Sequence, residues 1–114
     1  MQNQTQNTPG LLTVLTTTDA PDKADTLARG AIEARVAACA QISGPVTSVY
    51  RWEGAVETAH EWQVLLKTTE ARYAELEAWL TEHHDYETPE IIAVPVVRGA
   101  CGYVSWVRAE VGSH

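Results

Sequence analysis

The sequence predicts an α+β protein with a four-stranded antiparallel sheet and two helices on one face of that sheet. Two long β-rich runs meet at Glu53-Gly54, and a two-residue loop with Gly in second position is a strong hairpin signal. On each side of this hairpin lie an amphipathic helical pattern and a further apolar run. The resulting order of strand, helix, strand, strand, helix, strand is typical of the ferredoxin-like βαββαβ sandwich.

The length of the chain indicates a single domain. Its 114 residues suffice for one modest hydrophobic core. We expect a disordered leader at residues 1–10, one folded domain at 11–110 and a short tail at 111–114. The leader, MQNQTQNTPG, is polar and lacks the apolar segment of a signal peptide, and no run approaches the length of a membrane span. We therefore expect a cytoplasmic protein with no membrane partner.

The composition argues against nucleic acid as a partner. The chain has 8 Lys and Arg against 15 Asp and Glu, a net charge of −7, and no basic cluster that would bind phosphates. Cations suit an acidic chain better, although a solvated acidic surface is the more common cause of such a charge. Cys39 and Cys101 are too few for a disulfide scaffold and too far apart for a closely spaced redox or zinc motif.

The first strand and helix follow from local patterns. Leu11 to Thr18 is apolar and β-branched, which favours a strand. Asp19 is expected to cap a helix with Pro21 in its first turn, and this helix should end near Arg35. Its apolar side chains recur at helical spacing: Ala24, Leu27, Ala28, Ala31 and Ile32.

The hairpin strands are unusually long. Val36 to Ile42 is small and apolar and predicts a buried strand, and Ser43-Gly44-Pro45 predicts a bulge or bend before the hairpin. The run after the loop alternates between two faces. One face carries Val56, Thr58, His60, Trp62, Val64 and Leu66, and the other carries Glu57, Glu61, Gln63 and Lys67. Strands of this length extend past the core of a small domain, so the surplus length requires a partner.

The rest of the chain repeats the helix-and-strand pattern. Thr69 is expected to cap a second helix whose apolar face is Tyr73, Leu76 and Leu80 and whose solvated face is Arg72, Glu75, Glu77 and Glu82. Glu90 to Val97 predicts an apolar strand, and Pro95 places its end at an edge or bulge. Gly99 to Gly102 predicts a turn. Tyr103 to Ala109 has helical spacing and predicts a short C-terminal packing helix.

Helices on one face leave the other face of the sheet open. Trp52, Trp62 and several β-branched residues would be poorly buried there in a monomer. Oligomerisation through this face or through the hairpin is the simplest way to cover them.

Five short motifs in a fixed order carry a resemblance to a known family. They are RVAAC at 35–39, SVYRWEG at 48–54, LLKT at 65–68, HDYETPEIIAVPV at 84–96 and YVSW at 103–106. From Leu11 to Val107 the sequence resembles CutA, the divalent-cation tolerance family. The resemblance implies a homotrimer of ferredoxin-like protomers assembled by extended hairpin strands, similar in architecture to PII-like signalling trimers. It also implies a role in tolerance of copper and other divalent cations, without enzymatic activity.

Three residues are candidate metal ligands. The resemblance implies copper binding in part through Cys39, and a thiolate is a soft ligand that suits Cu(I). The alternative is that Cys39 is a small buried hydrophobe in an Ala-rich strand. His83 and His84 form a second candidate within a cluster that also contains Asp85, Glu87 and Glu90. Here the alternative is packing and favourable charge at a helix C-terminus.

Seven further residues match the polar and aromatic pattern that lines a cleft between protomers in related trimers. They are Trp52, Glu61, Lys67, Tyr86, Glu90, Tyr103 and Trp106. A small ligand could bind in such a cleft, as in a PII-like sensor. The alternative is an intersubunit network that positions the hairpin.

No pattern for nucleophilic catalysis is present. The sequence has no nucleophile elbow, P-loop or dinucleotide fingerprint, and Ser48 and Ser105 have no evident base. We therefore expect no catalytic residues and no required cofactor, with copper or another divalent cation as the expected metal partner. A small hydrolase on this fold is the weakest of the three functional hypotheses, because a fold alone licenses no activity.

Overall fold

The fold is a four-stranded sheet layered with helices. The computed structural model describes residues 5–7 and 9–112. The elements in chain order are β1 (Thr5–Asn7), β2 (Leu11–Thr18), α1 (Pro21–Glu33), β3 (Cys39–Trp52), β4 (Ala55–Thr69), a 3₁₀ turn (Glu70–Arg72), α2 (Tyr73–His83), β5 (Ile91–Pro95), β6 (Arg98–Ala100) and α3 (Cys101–Val111). The main sheet has the order β3-β4-β2-β5 with every neighbouring pair antiparallel. The predicted ferredoxin-like arrangement is confirmed.

The core lies between this sheet and helices α1 and α2. The buried side chains of this layer are Val14, Val64 and Leu66 from the sheet, Ala24, Leu27, Ala28 and Ala31 from α1, and Leu76 and Leu80 from α2. The two helices approach closely at Gly30, where an added Cβ would lie 2.5 Å from the ring of Trp79. These residues are the apolar faces that the periodicity predicted, except that Ile32 is 36% exposed.

The ends of α1 differ from the prediction. Ala20 occupies the N-cap position, with no side-chain cap, and Pro21 begins the helix. The predicted cap by Asp19 is wrong, because the helix begins too late for that carboxylate to reach its free amides. Asp19 instead accepts a hydrogen bond from Lys23, one turn on. The helix ends at Glu33, and Arg35 has a φ of +60°, which is incompatible with its continuing.

The first hairpin strand begins later than predicted. Val36, Ala37 and Ala38 are buried but lie outside the strand, which starts at Cys39. Its pairing with β4 shifts register between Ser43 and Val46, so the predicted bulge is confirmed.

The hairpin loop and the length of its strands are also confirmed. Trp52 pairs with Ala55 across the loop, and Glu53 and Gly54 have φ values of +49° and +83°. Strands β3 and β4 are 14 and 15 residues long. The molecule measures 55 × 26 × 21 Å. The outer part of the hairpin therefore forms an arm beyond the helices, and its apolar side chains are exposed, with Val49 and Val56 at 65% and 64%.

Arg72 fixes the second helix to the third. The Thr69 hydroxyl accepts a hydrogen bond from the Arg72 amide, which confirms the predicted cap, although the turn it begins is 3₁₀. Arg72 was expected on the solvated face, and that expectation is wrong. Its guanidinium donates to the Val111 and Gly112 carbonyls at 2.5 and 3.3 Å. It thereby satisfies carbonyls that the end of α3 leaves without helical partners.

The predicted disordered leader is wrong for residues 5–7. These residues form β1, which pairs antiparallel with β6 from Thr5 opposite Ala100 to Asn7 opposite Arg98. The glycine turn predicted at Gly99 to Gly102 is therefore a strand followed by a helix. Residues 1–4 and 8 of the predicted leader lie outside the described residues. Backbone pairing requires no apolar side chains, so hydrophobic periodicity gave no sign of this small sheet.

Helix α3 covers one end of the open sheet face. Val104, Val107 and Val111 pack against Leu11 and Ala38. Val111 is fully buried, so the predicted tail is wrong at that position; residues 113 and 114 lie outside the described part of the chain. The predicted C-terminal helix is confirmed and is longer than expected.

Among the described residues, nothing covers the remainder of the open face. The expectation that Trp62 lies on this face is wrong, because its ring packs against the core under the helices. Leu15 pairs with Leu65 on one side and with Ile92 on the other, so their side chains share this face. Ile92 and Val94 are 51% and 57% exposed. The predicted strand Glu90 to Val97 is confirmed in part, as β5 ending at Pro95.

Candidate functional site

A cavity of about 560 Å³ lies between the hairpin and the connection from α2 to β5. Its lining residues are Ser48, Val49, Tyr50, Trp52, Glu61, Tyr86, Glu87, Thr88 and Glu90. Strand alternation brings the hairpin residues together, because Val46 pairs with Glu61 and Ser48, Tyr50 and Trp52 follow at two-residue intervals. Four of the seven predicted cleft residues line this cavity: Trp52, Glu61, Tyr86 and Glu90.

Glu61 and Tyr86 form the central polar contact of the cavity. The Tyr86 hydroxyl donates to the Glu61 carboxylate at 2.8 Å. Glu61 is only 9% exposed, on the strand face that also carries Leu65 and Lys67. Burial of the ring, and then its hydrogen bond to Glu61, raise the pKa of Tyr86 above its usual value. The phenol therefore stays protonated and donating throughout the physiological pH range.

His84 supports Tyr86 from behind. The Tyr86 amide donates to His84 Nδ1 at 3.0 Å. Since Nδ1 accepts this bond, Nε2 carries the proton and donates to the Thr17 carbonyl at 2.7 Å. Both ring nitrogens of a side chain that is 9% exposed are thus occupied. Metal binding by His84 would require one of these bonds to break.

The other three predicted cleft residues lie in a second group beside Cys39. The Tyr103 hydroxyl is 3.3 Å from Cys39 Sγ, and Lys67 Nζ is 4.0 Å from the same sulfur and 3.1 Å from Gln41 Oε1. The rings of Tyr103 and Trp106 lie 5.7 Å apart. The contact with Cys39, followed by burial, raises the pKa of Tyr103 to about 12.

The seven cleft residues therefore form two separate groups within one protomer. Glu61 belongs to one and Lys67 to the other, six residues apart on β4. This spacing corresponds to about 20 Å along a strand. A single cleft containing all seven would need residues from two copies of the chain.

The predicted metal ligands do not converge either. His83 stacks on Trp79 with ring centroids 4.0 Å apart, and its Nδ1 lies 2.8 Å from the Trp79 carbonyl. With His84 it lines a smaller cavity of about 250 Å³ between α1 and the end of α2, away from Cys39. Within residues 5–7 and 9–112, no three or more His, Cys, Asp or Glu side chains are placed to hold a metal ion. The metal role of Cys39, His83 and His84 stays a prediction.

Five residues that line this cavity were not among the predicted cleft residues, although Glu87 was assigned to the helix-end cluster: Ser48, Val49, Tyr50, Glu87 and Thr88. The available signal for Tyr50 was its two-residue spacing from Trp52, which places both rings on one strand face. Glu87 lies in an irregular connection, where no periodicity indicates direction.

The geometry of the chain indicates its class of protein. The chain is a ferredoxin-like α+β fold with a hairpin that extends past its helices, a sheet face that the described residues leave partly uncovered, and a cavity at the hairpin lined by acids and aromatic rings. Among the described residues no helix is long and apolar enough to cross a membrane.

Comparison with known proteins identifies the family. The family described as CutA1 divalent ion tolerance protein matches residues 12–110. The divalent-cation tolerance protein CutA of Escherichia coli O139:H28 is 37% identical over 111 residues, which is 96% of each chain. The chain belongs to the CutA family of divalent-cation tolerance proteins.

Solved structures agree with this assignment. CutA from Synechococcus elongatus PCC7942 superposes with a TM-score of 0.90 at 34% identity, covering 95% of this chain and 96% of that one. A structure of the same relative complexed with a Bis-Tris molecule gives 0.86 at 34% identity, with coverage of 93% and 98%. The protein from Archaeoglobus fulgidus, described as a periplasmic divalent cation tolerance protein CutA, gives 0.86 at 30% identity, with coverage of 90% and 99%.

Proposed function

We propose that this protein contributes to tolerance of divalent cations as a non-enzymatic homotrimer that binds copper weakly and directly. Membership of the CutA family over nearly the whole chain carries this proposal. The absence of enzymatic activity is part of the proposal, and phosphatase and esterase assays on the purified protein test it.

The uncovered sheet face supports the trimer. Ile92 and Val94 on β5 and Val49 and Val56 on the arm are all more than half exposed. Apolar patches of this kind are typical of subunit interfaces. Because the arm extends past the helices of its own protomer, a second copy is the natural partner for it.

Cys39 supports the metal part of the proposal in a limited way. It is half-buried, and its sulfur is a soft ligand atom 3.3 Å from the hydroxyl of the cleft residue Tyr103. A single thiol is too few ligands for tight binding, so the site would need ligands from more than one protomer. The Lys67 ammonium close to the sulfur also opposes a second positive charge there. Both features favour weak binding.

Copper titration of the assembled protein tests this proposal. Calorimetry with Cu(I) held by a competing chelator should show saturable binding that Cys39→Ala abolishes. Cys101→Ala is the matched control, because it removes the chain's other thiol and should leave binding unchanged. His83→Ala reports whether the helix-end histidine contributes. If the wild type binds no more copper than the Cys39→Ala variant, direct binding through this cysteine is rejected.

A cytoplasmic location is a further part of the proposal, and one relative is described as periplasmic. Fractionation of cells that express the untagged full chain, with marker enzymes for each compartment, decides between the two.

A small-molecule sensor is the second candidate function, and the hairpin cavity favours it. The cavity combines a buried carboxylate, a tyrosine donor and aromatic walls, the usual composition of a ligand site. A structure of the Synechococcus elongatus relative holds a small molecule, Bis-Tris. Under this hypothesis Tyr86→Phe, Lys67→Ala or Trp106→Ala abolishes ligand-induced thermal shifts and leaves the trimer intact. A broad metabolite screen without any shift would exclude it.

A further inference from the structure

A second cavity lies on the helix side of the sheet. This helix cavity has a volume of about 250 Å³ and lies between α1 and the end of α2. The hairpin arm and the uncovered sheet face, which are the surfaces proposed to meet other copies, contribute no residue to its described lining. The helix cavity is therefore separate from those surfaces. Its lining residues are Thr18, Asp22, Lys23, Thr26, Leu27, His83, His84 and Asp85.

The Thr18 hydroxyl is a polar group of this cavity that the fold leaves unsatisfied. The side chain is 1% exposed, and within the described residues its Oγ1 atom has no hydrogen-bond partner. A buried hydroxyl of this kind is costly, because it loses its hydrogen bonds to water and gains none from the protein. Since Thr18 lines the helix cavity, a ligand in the cavity is the natural partner for its hydroxyl.

The N-terminus of α1 contributes free donors to the same cavity. Ala20 occupies the N-cap position without a side-chain cap, and Pro21 begins the helix. The backbone amides of Asp22 and Lys23 in the first turn therefore lack a capping acceptor, and both residues line the cavity. With 13 residues, α1 is long enough for its dipole to favour a negative group at this end.

The charged groups of the helix cavity have both signs. The Lys23 ammonium donates to Asp19 and Asp85 at 2.8 and 2.6 Å, so its charge is already balanced. The Asp22 carboxylate forms no ion pair with any other described residue, and it lies beside the positive end of α1. Asp22 repels a ligand that is only anionic, and the helix end repels one that is only cationic. The lining therefore favours a small molecule that carries both charges.

We propose that the helix cavity binds a small free α-amino acid, with its carboxylate at the α1 amides and the Thr18 hydroxyl and its ammonium group at Asp22. Leu27 supplies apolar surface for the ligand's side chain. A volume of about 250 Å³ suits a small ligand, because sites for drug-sized molecules measure about 300–1,000 Å³. A metal ion fits less well, since both ring nitrogens of His84 already have partners. This site is independent of copper binding at Cys39 and of the hairpin cavity.

Three probes that differ in one charged group each test the proposal. L-Alanine carries both charges, propionate lacks its ammonium group, and ethylamine lacks its carboxylate. Ligand-detected NMR and calorimetry on the assembled full chain, with EDTA present to remove metal ions, should show saturable binding of L-alanine. Propionate and ethylamine should each bind about tenfold more weakly, because each loses one of the two charged contacts.

Thr18→Val tests the hydroxyl, because valine has nearly the same shape. L-Alanine should bind this variant about tenfold more weakly. Without ligand, its melting temperature should stay the same or rise, since the substitution removes a buried hydroxyl that has no partner. Thr16→Val is the matched control. The Thr16 hydroxyl is also buried and unpartnered within the described residues, but Thr16 does not line the helix cavity, so binding should not change.

Asp22→Asn tests the ammonium contact. It removes the negative charge and keeps the size of the side chain, so the affinity for L-alanine should fall about tenfold while propionate binds no more weakly than before. Asp25→Asn is the control on the same helix, because the Asp25 carboxylate pairs with Arg29 and does not line the cavity. Binding of L-alanine to this variant should equal that of the wild type.

Four outcomes would overturn the proposal. The first is no saturable binding of L-alanine. The second is equal binding of the three probes, which would show that the cavity does not recognise the two charges together. The third is binding that EDTA abolishes, which would make the cavity a metal site. The fourth is an equal loss of binding in Thr18→Val and Thr16→Val, which would show that the ligand does not contact the Thr18 hydroxyl.

Discussion

At the scale of single residues, the polar side chains of this protein owe their roles to partners that are distant in sequence. His84 was singled out from the sequence as a possible metal ligand, and Glu61 as a residue of the intersubunit cleft. The structure gives His84 two backbone partners, Thr17 and Tyr86, and gives Glu61 the Tyr86 hydroxyl. Residue type indicated that these positions matter, but hydrogen-bond partners 67 and 25 positions away cannot be inferred from local spacing.

His84→Leu should lower the free energy of unfolding by about 2 kcal/mol. It leaves the buried Thr17 carbonyl and Tyr86 amide without partners, and that desolvation is the source of the cost. His83→Ala is the control, because His83 is exposed and its loss should cost less than about 1 kcal/mol. Urea unfolding at one fixed protein concentration measures both. Equal costs would show that the buried bonds of His84 contribute no more than surface contacts do.

Tyr103 should titrate far later than an ordinary tyrosine. Its contact with Cys39 and its burial raise its pKa from 10.0 to about 12. A raised folded-state pKa means that the stabilisation is complete below pH 10 and is lost as the pH rises towards 12. The difference in tyrosinate absorbance between the wild type and Tyr103→Phe should show one group with a midpoint near 12. A midpoint near 10 would contradict the contact.

At the scale of elements, the success of prediction depended on whether the signal was local. The hairpin was predicted because the Glu53-Gly54 loop and the alternation beside it are contained in a few residues. The pairing of β1 with β6 joins segments more than 90 residues apart through backbone groups alone, so no side-chain pattern reveals it. The start of α1 was placed at Asp19 because a good capping residue was present, but Pro21 sets the first helical position.

Gly54→Ala should lower the free energy of unfolding by about 1 kcal/mol. The cost comes from the backbone alone, since Gly54 has a φ of +83° and an added Cβ would meet no atom within 4 Å. Gly102→Ala is the matched control. It is equally open but lies in helix α3, so alanine should leave stability unchanged or raise it. Thermal unfolding should show a lower stability for Gly54→Ala and an equal or higher stability for Gly102→Ala than for the wild type. A Gly54→Ala variant as stable as the wild type would mean that the loop can change its conformation freely.

At the scale of the whole molecule, the protomer is incomplete in two ways. One sheet face keeps exposed apolar residues, and the seven cleft residues form two groups rather than one. The resemblance indicated which residues belong together, because it was drawn from assembled relatives. Glu61 and Lys67 lie six residues apart on one strand, so their separation of about 20 Å already followed from the strand predicted in the sequence.

Val94→Asp should convert the protein to a monomer that keeps its secondary structure. Val94 is 57% exposed on the uncovered face, so the change costs little within the protomer but places an unpaired charge in the proposed interface. Ile32→Asp is the control, because Ile32 is a partly exposed apolar residue on α1, in the opposite layer. Sedimentation velocity measures the oligomeric state, and circular dichroism measures the secondary structure. An unchanged sedimentation coefficient for Val94→Asp would place the interface elsewhere.

The hydrogen bonds around Tyr86 connect the hairpin cavity to the ring of His84. One continuous series runs from the Glu61 carboxylate through Tyr86 and the His84 ring to the Thr17 carbonyl. Anything that pulls on Glu61 therefore shifts a ring embedded in the sheet edge. The resonance of the His84 Cε1 proton should move when the cavity fills, although His84 is not among the residues lining it. Occupancy becomes readable by one-dimensional NMR in the unlabelled protein, without attaching a probe to the cavity itself.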